Sequence, residues 1–364
     1  IALVRDKAAD RAELLMAEAM RRAPDHVPAA AMAARLRADR GDIDGALAQI
    51  EQMLQRKPDA AGAWAVKGDL LLAKGRADDA MAAWRQSLKL QPNQATVHVA
   101  LLSELFGRKD ITGAEAQAAE MKKALPQHPQ TKFYDALLAA SKGDYTRARE
   151  TLQPLLARAP DNPRLLMLAG EVEMKLDNLA QAEAHFSRVV NGAPKLAAAR
   201  RMLAQVQLKA RQPDKVLTTL EPLLAASPPD TVALTLAGQA RVMLGDAKGA
   251  ETAFAKAADL SPGDPRARAA QALTRLGQGD DKALGDLETL AAKDKGVRVD
   301  VVLIGSLLRR GDIAGAKKQV EKLVAKQPDT ALPHHLRGRV ALLERDKAAA
   351  RKHYEVALSK EADF

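Results

Sequence analysis

Small, apolar and polar positions recur along the chain at a constant interval. Proline marks it most clearly: Pro24, Pro58, Pro92, Pro126, Pro160, Pro194, Pro228 and Pro262 are evenly spaced, with a period of about 34 residues. The series misses a beat near Gly296 and resumes at Pro328, two periods less two residues after Pro262. We count each unit from the third residue after its proline. Position 15 then holds Gly41, Gly75, Gly143, Gly245, Gly279 and Gly311. Position 16 holds Asp42, Asp110, Asp144, Asp246, Asp280, Asp312 and Asp346. Position 20 is alanine in most units, position 8 is small (Gly68, Gly170, Gly238, Gly338), and position 24 is bulky (Trp84, Phe186, Phe254, Tyr354).

Each mark has a mechanical reason, and together they predict two helices per unit. The Gly-Asp pair ends the first helix and turns the chain, glycine taking the left-handed cap and aspartate capping the second helix. Small residues at positions 8 and 20 let the two helices approach, and the residue at 24 fills the gap beside them. The proline at 32 stops the second helix. Repeated pairs of this kind bury their apolar faces on their neighbours and form a stack. Two prolines interrupt the pattern, Pro154 in "TLQPLL" and Pro222 in "TLEPLL", two periods apart and both at position 26. Each deprives a carbonyl (Glu150, Thr218) of its partner and predicts a kink that adjusts curvature.

The marks resemble the tetratricopeptide repeat over essentially the whole chain. The clearest unit is "WAVKGDLLLAKGRADDAMAAWRQSLKLQPN", from Trp64 to Asn93. The resemblance implies an all-α, right-handed superhelical α-solenoid of about ten 34-residue helix–turn–helix units. They would be arranged as a partial unit at 1–26 (Ala12 and Pro24 in phase), seven units at 27–264, a shortened unit at 265–296 and two units at 297–364. The shortened unit has lost two residues, one of them expected in the turn "GQGDDKA". The order of imperfect units, including 132–194, 211–230 and 308–358, is similar to the PEP-CTERM system TPR-repeat lipoproteins of Gram-negative bacteria. That resemblance implies a periplasmic, outer-membrane-associated scaffold in exopolysaccharide and protein-sorting export, carried on a lipid anchor upstream. Because the chain opens inside a repeat and on Ile1, the expectation is one continuous solenoid that is a fragment of a longer protein.

Composition narrows the chemistry. There is no cysteine among the 364 residues, which removes disulfides, thiolate metal sites and cysteine nucleophiles. Aromatics are 3% and alanine is abundant, as suits closely packed helices. The net charge of +10 comes from 56 basic and 46 acidic residues that are intermixed, so a solvated helical surface is favoured over a polyanion-binding face. Nucleic acid is not an expected partner, since the basic residues are neither segregated nor paired with aromatics for base stacking. No apolar run reaches the roughly 18 residues that a membrane span needs.

No catalytic constellation emerges: there is no Gly-x-Ser-x-Gly, P-loop or His-Glu-x-x-His. No catalytic residue, cofactor or metal site is therefore expected. His26, His98, His128, His185, His334, His335 and His353 are scattered, and the adjacent pair points about 100° apart on a helix. The resemblance places partner binding on the concave face, at positions 2, 5, 9 and 12 of each first helix. Position 5 reads Ala31, Ala65, Val99, Phe133, Met167, Arg201, Thr235, Ala269, Val301 and His335, and position 9 has no asparagine. The carboxylate clamp of co-chaperone members is thus absent. What the face does hold is an apolar middle, Phe106, Phe133, Leu137, Met167 and Met174, suited to a helix or extended peptide. An arginine series, Arg164, Arg201, Arg266 and Arg298, suits an acidic partner or an anionic polysaccharide. The expected function is a non-enzymatic scaffold for protein or peptide partners, with a cytoplasmic peptide-binding adaptor as the alternative.

Overall fold

The computed structural model describes residues 11–361 apart from 12, 13, 17, 20 and 24, so Ala12 and Pro24 of the expected partial unit lie outside the described residues. The chain divides into two compact units, one ending at Asn178 and the other beginning at Leu179. In the first, helix pairs follow one another: α1 (Val27–Asp39) and α2 (Ile43–Arg56), α3 (Ala61–Ala73) and α4 (Ala77–Leu90), α5 (Ala95–Gly107) and α6 (Ile111–Ala124), α7 (Pro129–Ser141) and α8 (Tyr145–Arg158), then α9 (Pro163–Lys175). The second opens on α10 (Leu179–Gly192) and continues with α11 (Ala197–Lys209) and α12 (Pro213–Leu224), α13 (Thr231–Met243) and α14 (Ala247–Leu260), α15 (Pro265–Gly277) and α16 (Lys282–Lys293). It ends with α17 (Arg298–Arg309) and α18 (Ile313–Lys326), α19 (Ala331–Leu343) and α20 (Lys347–Lys360). No strand occurs among the described residues. Each unit is an α-solenoid of stacked helix pairs.

The turn inside each pair is a Schellman motif followed at once by an N-cap. In the first pair Gly41 N–H donates to the Ala38 carbonyl and Asp42 N–H to the Arg37 carbonyl, while Asp42 Oδ1 accepts from Gly45 N–H at 2.9 Å. Asp110, Asp144, Asp246, Asp312 and Asp346 cap the second helices of their pairs in the same way. Position 15 takes positive φ even where it is not glycine: Lys109, Asp177, Arg211 and Arg345 lie at φ 56–62°. Repeat geometry therefore fixes the backbone there, and the residue type follows only where it can.

Close approach within a pair rests on position 8. A Cβ added to Gly68 would collide with the Trp84 indole, and the same holds for Gly238 against Phe254 and Gly338 against Tyr354. Trp84 is 1% exposed and donates its Nε1–H to Asp69 Oδ1 at 3.1 Å, so its polar edge is satisfied while its rings are buried. The alanines at position 20, among them Ala46, Ala80, Ala114 and Ala316, are fully buried where the helices cross. A continuous core then runs from Ala30 to Val172 in the first unit, and apolar clusters repeat through the second.

Successive pairs are tied by a contact that the period alone does not reveal. Where position 4 is Trp64, His98, Arg200 or His334, its side chain reaches back six residues to the carbonyl of the preceding repeat proline. Trp64 Nε1–H donates to Pro58 at 2.8 Å, His98 Nε2–H to Pro92 at 2.7 Å, Arg200 Nε–H to Pro194 at 3.0 Å and His334 Nε2–H to Pro328 at 3.1 Å. Where the proline series skips, position 4 is Asp300, 2% exposed, and the tie is replaced. Asp300 accepts from Lys326 Nζ and Gln319 Nε2, both at 2.8 Å, so the buried carboxylate is paired and hydrogen-bonded.

One of the two sequence irregularities, the shortened unit, resolves differently from expectation. In the shortened unit the turn is intact, with Gly279 at φ 92° and Asp280 N–H donating to the Arg275 carbonyl, and the loss falls on α16, which has 12 residues against 14 in α14 and α18. Pro154 does not interrupt α8, which keeps 14 residues, whereas α12 stops at Leu224, two residues after Pro222. Both prolines are exposed, so the carbonyl each one frees can be hydrated and the cost of an interior proline is reduced.

Candidate partner-docking surfaces

The first helices of the pairs form one wall of each unit, and positions 2, 5, 9 and 12 lie along it. In the first unit that wall is organised by Tyr134, which is 1% exposed and was not among the expected site residues. Phe106 stacks on Tyr134 with ring centroids 6.0 Å apart, and Phe133 meets it edge-on at 5.3 Å. Arg164 closes the group: its guanidinium carbon lies 4.4 Å from the Phe133 centroid, and its Nη2 donates to the Tyr134 hydroxyl at 2.9 Å. The same hydroxyl contacts Ser103 Oγ at 2.8 Å, so the arginine is braced by α5, α7 and α9 together.

Phe133 is 6% exposed and belongs to the core, which corrects the expectation of an open contact there. Its position 5 leans inward because Arg164 covers its outer face. Phe106, Leu137, Met167 and Met174 are half-buried, leaving apolar surface at the wall, and Arg164 is exposed. Glu171, at position 9 between the two methionines, has its carboxyl pushed above the usual carboxylate range by desolvation.

The arginine series of the second unit is largely engaged by helix caps. Arg201 Nη1 pairs with Asp230 Oδ2 at 2.8 Å, and Asp230 also caps α13. Arg266 grips Asp264, the cap of α15, with Nε at 2.8 Å from Oδ1 and 2.9 Å from Oδ2, which raises the guanidinium and lowers the carboxyl. Arg298 is exposed and feels Asp264 only through space. The expectation of a free cationic stripe is therefore corrected: two of its three members here are neutralised locally.

The second unit instead carries a cavity that sequence reading missed. It measures about 550 Å³ and is shaped by α15, α17 and α19, with Leu273, Val301, Ile304, Leu308 and Leu336 as walls and Gly305 on its lining. Arg309 and Arg339 also line it, and both are exposed. Arg339 stands at position 9, where a search for asparagine alone passes over it. Two further openings occur, one lined by Pro154 and one along α12 beside Arg241.

Most of the histidines have structural work. His26 and His128 cap α1 and α7 through Nδ1, His98 and His334 make the position-4 ties, and His335 lies 5.4 Å from the Tyr354 ring. Among the described residues no group of three or more His, Asp or Glu side chains could hold a metal ion, and no helix is long and apolar enough to cross a membrane.

Comparison with known proteins agrees with this architecture. Family models described as tetratricopeptide repeat match residues 139–197 and, for a second model, residues 31–95, 201–265 and 304–363, more than half of the chain. No curated protein matches. Among solved structures, a tetratricopeptide repeat protein from Parabacteroides merdae is similar at 15% identity and a TM-score of 0.53, over 68% of this chain and 98% of that one. The Cut9–Hcn1 hetero-tetramer of the APC/C is similar at 14% identity and a TM-score of 0.54, over 98% of this chain and 77% of that one. A monomeric mutant of IFIT1 with m7Gppp-AAAA is similar at 16% identity and a TM-score of 0.51, over 97% of this chain and 76% of that one. At such identities the likeness is one of fold. With the family models spanning both units, the chain belongs to the tetratricopeptide-repeat family.

Proposed function

We propose that this chain is a non-catalytic scaffold that docks segments of partner proteins along its first-helix walls. Family membership supports a protein-interaction role. The observation that carries the reading further is the first-unit wall, which holds half-buried Phe106, Leu137, Met167 and Met174 together with Arg164, whose guanidinium is braced on aromatic rings. Apolar, partly methionine surface of this kind fits a helix or an extended peptide. The setting we propose is the periplasmic side of a Gram-negative envelope, within an exopolysaccharide or PEP-CTERM export system. Its support is the resemblance in the order of the repeats. The ligand named for IFIT1 is not carried over, because at 16% identity that likeness is one of fold.

Replacing Met167 and Met174 by serine tests the docking reading. Capture of a partner by the full-length protein should fall while the unfolding midpoint stays close to wild type; unchanged capture would contradict it. Fractionation of the full-length protein tests the setting, which fails if the protein stays in the cytoplasm.

A further inference from the structure

The cavity in the second unit points to a particular kind of partner. We infer that it is the docking groove for an acidic aliphatic peptide segment, one that presents leucine-like side chains flanked by carboxylates. The inference rests on the scaffold reading above and adds the chemistry of the occupant.

Three observations carry it. The walls are aliphatic: Leu273, Val301, Ile304, Leu308 and Leu336 come from three successive pairs, so a segment lying across them would bury several side chains at once. Position 9 of α17 is Gly305, and a Cβ there would meet only the Arg309 guanidinium, at 3.8 Å. The missing side chain is therefore not required by helix packing, in contrast to Gly68 or Gly338, and its effect is to leave the groove open. The third observation is charge. Arg309 donates only to Ser306 Oγ, at 3.2 Å, and Arg339 has no hydrogen bond or ion pair among the described residues. Positions 2, 5, 9 and 12 of α15, α17 and α19 hold no carboxylate at all. Elsewhere along the wall Asp230 and Asp264 neutralise their arginines; here two exposed guanidiniums line an apolar groove with no counter-charge. A guanidinium fork recognises carboxylates well, while the groove floor gives nothing to a polyanion without apolar groups.

The test is fluorescence anisotropy on the full chain with three labelled 15-residue peptides of one amphipathic pattern, Leu/Glu, Leu/Lys and Ser/Glu, and an alginate oligomer as competitor. The Leu/Glu peptide should bind at least tenfold more tightly than the other two. The R309E/R339E double variant should weaken it at least tenfold, and Gly305→Leu should block it by filling the groove. Unfolding midpoints should be unchanged, since the arginines are exposed and the glycine has room. Equal affinity for Leu/Lys, unchanged affinity in either variant, or displacement by alginate at lower concentration than by unlabelled Leu/Glu peptide overturns the inference. Failure of these peptide arms overturns the groove assignment alone; the docking reading fails separately, if capture survives loss of Met167 and Met174.

Discussion

The indole of Trp84 lies directly against the backbone of Gly68, with no room between them for a single carbon. This contact links positions 24 and 8 of one pair, and it recurs as Phe254 on Gly238 and Tyr354 on Gly338. Gly68→Ala therefore forces the ring or a helix to move. An overpacking cost of about 1–3 kcal/mol is expected, read as a lower urea midpoint. The same change at exposed Gly107, where an added Cβ meets nothing, should be neutral or slightly stabilising.

Position 15 gives a prediction of opposite sign. Lys109, Arg211 and Arg345 hold the left-handed conformation that glycine adopts without strain. Replacing each by glycine should stabilise the protein by roughly 0.5–1 kcal/mol, and Gly75→Ala should destabilise it by a similar amount. Chemical denaturation of the single variants measures both. A destabilising Arg345→Gly would show that its side chain matters more than its backbone.

His98 gives a pH dependence. Its Nε2–H donates to Pro92 and its Nδ1 accepts from Gln117, and burial pushes the imidazole below its ordinary range, against smaller upward effects of Pro92 and Glu120. Above the unfolded value of about 6.5 both states are neutral and His98 adds no pH dependence. As pH falls below it, the unfolded chain binds a proton that the folded chain resists, so stability declines until the folded value is passed. Between pH 7.5 and 5 the wild type should lose stability, and His98→Gln should flatten that slope. His353, depressed in the same sense by burial, adds to the slope. An identical slope in the variant would contradict this.

The Asp300–Lys326 pair should behave as an interior ion pair. Lys326→Met leaves a 2%-exposed carboxylate without its cation, an expected loss of about 3 kcal/mol, near the low end for buried pairs because Lys326 keeps 24% of its side chain exposed. Adding Asp300→Leu should recover most of it. Failure of the double variant to recover would mean that Gln319, left without its acceptor, dominates the site.

The period, the Gly-Asp turns and the small–bulky pairing were legible in the sequence because each is a local requirement repeated at fixed spacing. The position-4 ties were not, since Trp64, His98, Arg200 and His334 are of three residue types and have in common only an N–H donor. The site was read less well than the fold. Spacing puts Arg201 and Arg266 on the wall, but it does not show that Asp230 and Asp264, placed for capping, lie within reach of their guanidiniums. Nor does it show that Arg164 would roof Phe133 and turn a wall residue into a core one. Arg339 stands at position 9, but spacing does not show that it lines an apolar groove shaped by three helices.

The central claim is that partners dock on the first-helix wall, and site-specific photo-cross-linking tests it most directly. A photoreactive residue at Leu137 or Met174, both half-buried on the wall, should give partner adducts in the full-length protein, and one at exposed Glu120 or Arg158 on second helices should give none. Adducts from Glu120 or Arg158 alone would contradict the claim.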